Sequence, residues 1–144
     1  MDKTGPIIII DDDKEDLEIF HAAFLELNLP NQILLFNAAD AFLEFLKGSE
    51  VKLFFILCDI NMPMINGFVL RDQLYADISL RNISIPFIFF STTSDFTFVA
   101  EAYKKPIQGY FQKPSSYDEI KSLFITIIQY WSQSFHPIHP LFKF

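Results

Sequence analysis

Apolar residues along this chain follow two alternating patterns. Short continuous runs at Ile7–Ile10, Ile33–Phe36, Leu53–Cys58 and Phe87–Phe90, and the brief Tyr110–Gln112, read as strands buried on both faces. Between them apolar positions recur at helical spacing. Asp13–Leu27 carries Leu17, Phe20, Phe24 and Leu27 on one side, and Ala38–Lys47 carries Phe42, Phe45 and Leu46. Phe68–Ile78 and Ser94–Tyr103 read as two further helices. The last, Ser116–Ser134, is the most regular: Ile120, Leu123, Phe124, Ile127, Ile128 and Trp131 form one stripe, and Ser116 with Glu119 offers a capping box. Asn28-Leu29-Pro30-Asn31, Gly48, Asn66-Gly67 and Lys104-Lys105-Pro106 punctuate the series. Strands alternating with helices predict an α/β fold of three layers, a five-stranded all-parallel sheet between two helical layers. Right-handed crossovers then bring every strand's carboxyl end to one edge.

The polar residues that end those strands are the informative ones. Asp11-Asp12-Asp13 follows the first, Asp59 the third, Ser91-Thr92 the fourth and Lys113-Pro114 the fifth. Ligands of open α/β sheets bind at that edge. A carboxylate at the mouth of a buried strand is costly unless its charge is compensated. Three together repel, which raises at least one pKa. A hard divalent cation relieves that repulsion, and Asp11, Asp12, Asp59 and the main-chain carbonyl of Asn61 make a suitable oxygen set for Mg2+. With Asp59 as nucleophile, attack on phosphorus gives an aspartyl phosphate. Lys113, the Ser91 hydroxyl and nearby backbone N–H groups are then placed to hold the phosphoryl oxygens.

Composition narrows the classes. A chain of 144 residues is one domain by length. No apolar run is long enough to span a bilayer, and the first residues lack a signal peptide's basic region. The single cysteine, Cys58, excludes an internal disulfide framework and suits a cytoplasmic location. A net charge of −7 argues against nucleic-acid partners but favours a cation.

Taken in order, these motifs resemble the receiver domain of two-component response regulators, of the stand-alone chemotaxis-regulator type, from about Ile7 to Ser134. Asp11-Asp12 matches the acidic pair. Asp59-Ile60-Asn61-Met62-Pro63 with Gly67 matches the phosphorylation segment, Ser91 the switch hydroxyl, Tyr110 the switch aromatic, and Lys113-Pro114 the lysine and its cis-proline. Thr92 stands where that family favours a smaller residue. The resemblance implies a flavodoxin-like sheet of order 2-1-3-4-5, with residues 1–134 as the receiver and 135–144 as a tail without an output domain. It implies Mg2+ (or Mn2+) as cofactor, with Asp12 as a direct ligand and Asp11 partly through water. It also implies a phosphoacceptor at Asp59, phosphoryl-binding and switch roles for Ser91, Thr92, Lys113 and Tyr110, and a cis bond before Pro114. The expected partners are a histidine kinase or histidine phosphotransfer protein and a downstream target protein, with homodimers open and neither nucleic acid nor membrane involved. Such a domain is not a turnover enzyme, although it promotes its own phosphorylation and dephosphorylation. Its output face would include Ala100, Tyr103, Lys104, Tyr110 and the outer side of the last helix.

Rival readings are weaker. A phosphatase of the haloacid-dehalogenase type needs a second acid two residues after the nucleophile, where Asn61 stands. A flavin-binding domain needs a neutral phosphate loop where three aspartates lie. A pseudo-receiver acting only as an interaction module does not account for the complete set of Asp11, Asp12, Asp59, Ser91 and Lys113. Asp13 is assigned to helix capping, Cys58 to the core, and His21, His136 and His139 to no site. The apolar tail is expected to pack on the domain or on a second copy.

Overall fold

The computed structural model describes residues 1–77 and 84–135. Five strands, β1 (Ile7–Ile10), β2 (Ile33–Phe36), β3 (Ile56–Cys58), β4 (Phe87–Ser91) and β5 (Gly109–Gln112), form one parallel sheet in the order β2-β1-β3-β4-β5. They alternate with α1 (Lys14–Leu25), α2 (Ala39–Lys47), α3 (Gly67–Ala76), α4 (Phe96–Tyr103) and α5 (Tyr117–Gln133) among the described residues. The expected α/β class and strand order are both present.

Strand alternation divides the core in two. Ile7, Ile9, Leu57, Ile88 and Phe90 face α1 and α5, where they meet Leu17, Phe20, Phe24, Ile120, Phe124 and Ile127. Ile8, Ile10, Ile56, Cys58, Phe87 and Phe89 face α2, α3 and α4 and meet Phe42, Leu70, Leu74 and Ala102. The phenylalanine excess fills these layers. Phe124 stacks on Phe24 at 4.0 Å between ring centroids and meets Phe20 edge-on at 5.9 Å. Trp131, near the end of α5, packs at the margin of the same layer, with Tyr130 edge-on to it.

Element ends follow local chemistry. Asp13 caps α1, its carboxylate accepting the N–H of Glu15 and Asp16, as assigned. The helix stops two residues before the expected Leu27, and Asn28 takes the left-handed conformation at φ 52°. Asn66, Asp95 and Ser116 cap α3, α4 and α5 by accepting from Val69, Phe98 and Glu119. Because Asp95 is the cap, α4 begins at Phe96 and not at Ser94. β3 is shorter than Leu53–Cys58. Residues Leu53–Phe55 are buried before it, and part of their backbone pairing goes to the N-terminal segment: the Asp2 N–H donates to Leu53 O, and the Phe54 N–H to Pro6 O. Ile78 at the expected end of α3, and His136, His139 and the docking expected of the tail, lie outside the described residues.

Candidate phosphoacceptor and metal site

The carboxyl edge of the sheet gathers the residues that the strand ends supply. β1 delivers Asp11, almost fully buried, and the exposed Asp12. The Asp11 N–H donates to Phe36 O, which fixes the residue in line with the strand. At the next strand the Asp59 N–H donates to Ile10 O at 2.8 Å, leaving the Asp59 side chain at the mouth of the sheet with 8% of its surface exposed. Carboxylate oxygens of Asp11, Asp12 and Asp59 all lie within 4.8 Å of one another.

The lysine arrives from the far side. Its N–H donates to Ser91 O at 2.7 Å, so the β4–β5 ladder carries on past Gln112 and sets where the side chain begins. The Lys113 ammonium donates to Asp11 Oδ2 at 2.6 Å and to Asp16 Oδ2 at 3.1 Å, and stands 3.7 Å from Asp59 Oδ1. Asp16 was not singled out in the sequence. It lies in the first turn of α1, and only the docking of α1 on the sheet brings it to the lysine.

The Lys113–Pro114 bond is trans, as is every peptide bond among the described residues, so the expected cis bond is absent. Trans is favoured for an X–Pro bond by about 0.5–1 kcal/mol. Here the strand ladder already aims the ammonium at Asp11, so the isomer is not needed for that task.

Ser91 is fully buried at the end of β4, and its hydroxyl accepts the Thr93 N–H at 3.4 Å. Thr92 is exposed, and its carbonyl accepts from Gln112 Nε2 at 3.3 Å. The half-buried Tyr110 turns its ring toward Phe89 and donates its hydroxyl to Thr93 O at 2.7 Å. Burial raises the Tyr110 phenol, against a hydrogen bond with the Ser91 side chain. Ser91 and Tyr110 are thereby joined through one loop. Asn61 is exposed two residues beyond Asp59.

Charge explains the titration of the group. Burial first, then the Asp11 carboxylate, pushes Asp59 up to about 7, with Lys113 opposing. Burial raises Asp11 as well, against its hydrogen bonds from Lys113 and Asp13. Burial alone would lower the Lys113 ammonium, but the bond to Asp11 and the charges of Asp11 and Asp59 outweigh it and raise its pKa. Two crowded acids and a third beside them, all oxygen donors, fit a hard divalent cation.

Residues 7–124 match the family model of the response regulator receiver domain. The chain belongs to that family. Solved receivers share the fold. The phosphorylated cyanobacterial phytochrome response regulator RcpA superposes with a TM-score of 0.79 at 18% identity, covering 91% of this chain and 96% of that one. The Mn2+-bound form of response regulator Rcp1 gives 0.75 at 18% identity, with 90% and 96% covered. Among curated proteins, the probable methanogenesis regulatory protein FilR2 of Methanothrix harundinacea (strain 6Ac) is 23% identical over 129 residues, 87% of this receiver and 82% of that protein. The two-component response regulator ARR14 of Arabidopsis thaliana is 26% identical over 123 residues, 85% of this receiver but 31% of its own length. The receiver thus spans about a third of that plant protein.

Proposed function

We propose that this receiver accepts a phosphoryl group on Asp59 from a phosphohistidine donor, a histidine kinase or a histidine phosphotransfer protein, and signals through contact with a downstream protein. The observation that carries the reading is the placement of Asp59 between an acidic pair and a lysine, with a buried hydroxyl on the next strand. An Asp59 carboxylate oxygen attacks phosphorus, the oxygen–phosphorus bond forms, the nitrogen–phosphorus bond breaks, and the donor imidazole leaves with the nitrogen's electron pair. Lys113 stands 3.7 Å from Asp59 Oδ1, near enough to pair with a phosphoryl oxygen after a small shift. The Ser91 hydroxyl and the Tyr110 ring, linked through Thr93, are the switch pair.

Asp12, Asp11, Asp59 and the Asn61 carbonyl would hold Mg2+ or Mn2+, which supplies charge neutralisation for the transferred group. Both Asp11 oxygens already accept, one from the Asp13 N–H at 3.0 Å and one from Lys113. That supports direct ligation by Asp12, with Asp11 acting partly through water. The Mn2+ in the Rcp1 structure supports a divalent cation in this receiver. The neutral Asn61, where a phosphatase of this chemistry has an acid, supports an acyl phosphate that persists as a signal. Residues 1–134 form the signalling unit of this reading, a phosphoacceptor that promotes its own phosphorylation and dephosphorylation in the cytoplasm. Its output face runs from Ala100, Tyr103 and Lys104 across Tyr110 to the outer side of α5.

Acetyl phosphate with Mg2+ should add one phosphoryl group, read by mass spectrometry of the intact protein. Asp59→Asn should abolish it and Asp12→Ala should slow it. Full labelling of the Asp59→Asn protein would sink the assignment.

A further inference from the structure

Lys113 has two acidic partners of different kinds. Asp11 is buried and belongs to the carboxylate trio. Asp16 does not belong to it: its carboxylate reaches Lys113 from α1 at 3.1 Å, with about a third of the side chain (32%) exposed. Phe20, one turn further along α1, lies with its ring centroid 5.8 Å from the same ammonium. Helix α1 therefore offers the lysine an acid and an aromatic face together. An ammonium has three protons. Two contacts go to Asp11 and Asp16, while the nearest Asp59 oxygen, at 3.7 Å, lies beyond hydrogen-bonding length.

On the reading that Asp59 is the phosphoacceptor, we propose that Asp16 is a positioning residue: it gives Lys113 a resting place off the phosphoryl site and so competes with the acyl phosphate for the ammonium. A cation bound by the trio draws on the charge of Asp11 and leaves Asp16 as the lysine's remaining anionic partner. Without Asp16 the ammonium falls back on Asp11 and Asp59, whose oxygens a cation needs. After acylation the balance reverses. The Asp16 carboxylate then holds the lysine away from the phosphoryl oxygens. One residue thus assists cation binding and opposes the phosphorylated state.

The test compares the unaltered chain with Asp16→Asn and with Glu15→Gln, the neighbouring exposed acid, which has no side-chain contact with Lys113. Mg2+ affinity is read by NMR titration. Affinity for beryllofluoride, an acyl-phosphate mimic, is read by fluorine NMR at saturating Mg2+. Asp16→Asn should weaken Mg2+ and tighten beryllofluoride, each by about threefold, the scale of one partly exposed ion pair. Glu15→Gln should change neither, and in a Lys113→Met background Asp16→Asn should lose its effect on beryllofluoride. A role in stability alone would not move the two constants in opposite directions. Unchanged constants, shifts of the same sign, or equal tightening without Lys113 would overturn the resting-place role while Asp59 stood. An unaltered chain that takes up no beryllofluoride would overturn both.

Discussion

A carboxylate that is buried beside another carboxylate resists ionisation. At Asp59 burial and then Asp11 favour the neutral acid and raise it to about 7. The sign of the linkage follows. Between about pH 4 and 7 the folded protein keeps a proton that the unfolded chain has lost. The stabilising contribution is complete below the unfolded pKa and is lost as pH rises through about 7. Asp59→Asn should therefore stabilise the cation-free protein by about 1–3 kcal/mol near pH 8 and by much less near pH 4.5, measured by urea unfolding at each pH. A gain independent of pH would contradict the charge argument. Asp11, Asp12, Asp59, Ser91 and Lys113 were legible in the sequence because each lies at the carboxyl end of a strand, and parallel strands bring those ends to one edge. Asp16 was not, since its role depends on how a helix docks, which periodicity within α1 does not encode.

At the scale of elements, the joint between β3 and α3 is the tightest near the site. Gly67 opens α3, and its N–H donates to Ile60 O at 2.8 Å. A methyl group at this position would collide with the Asp59 carbonyl oxygen and lie 2.9 Å from Ile60 Cα, both rigid backbone. Gly67→Ala should cost about 1–3 kcal/mol in urea unfolding, because packed backbone cannot give way. It should also slow phosphorylation by acetyl phosphate, since the displaced residue is Asp59 itself. An alanine variant of native stability and rate would refute the packing argument. The Asn66-Gly67 pair was read from the sequence as a turn. The structure makes it a cap and a contact at once, because Asn66 Oδ1 also accepts the Val69 N–H. The capped starts of α1 and α5 were legible from Asp13 and Ser116, whereas the true start of β3 was not. Leu53, Phe54 and Phe55 are as buried as a strand, but part of their backbone pairing goes to the chain's first residues. A run of apolar residues records burial and says nothing of the partner.

For the whole molecule, the parallel sheet separates its working edge from the opposite one. α5 starts beside β5 at the working edge and returns along the full depth of the domain. Tyr117 to Trp131 is a rise of about 21 Å at the usual helical pitch. The far end of α5 sits by the N-terminus, where Lys3 donates to Ser132 O at 2.8 Å and Met1 and Trp131 share the margin of one core layer. Trp131 is the chain's single indole. The intrinsic emission of this protein is thus a gauge of whether α5 rests on the sheet, and is silent on what occupies the carboxylates. Mg2+ titration should leave the tryptophan spectrum unchanged. Urea should shift it to the red with the same midpoint as the far-ultraviolet circular dichroism. A spectral change on adding the cation alone would mean that occupancy at one edge is transmitted through α5 to the other.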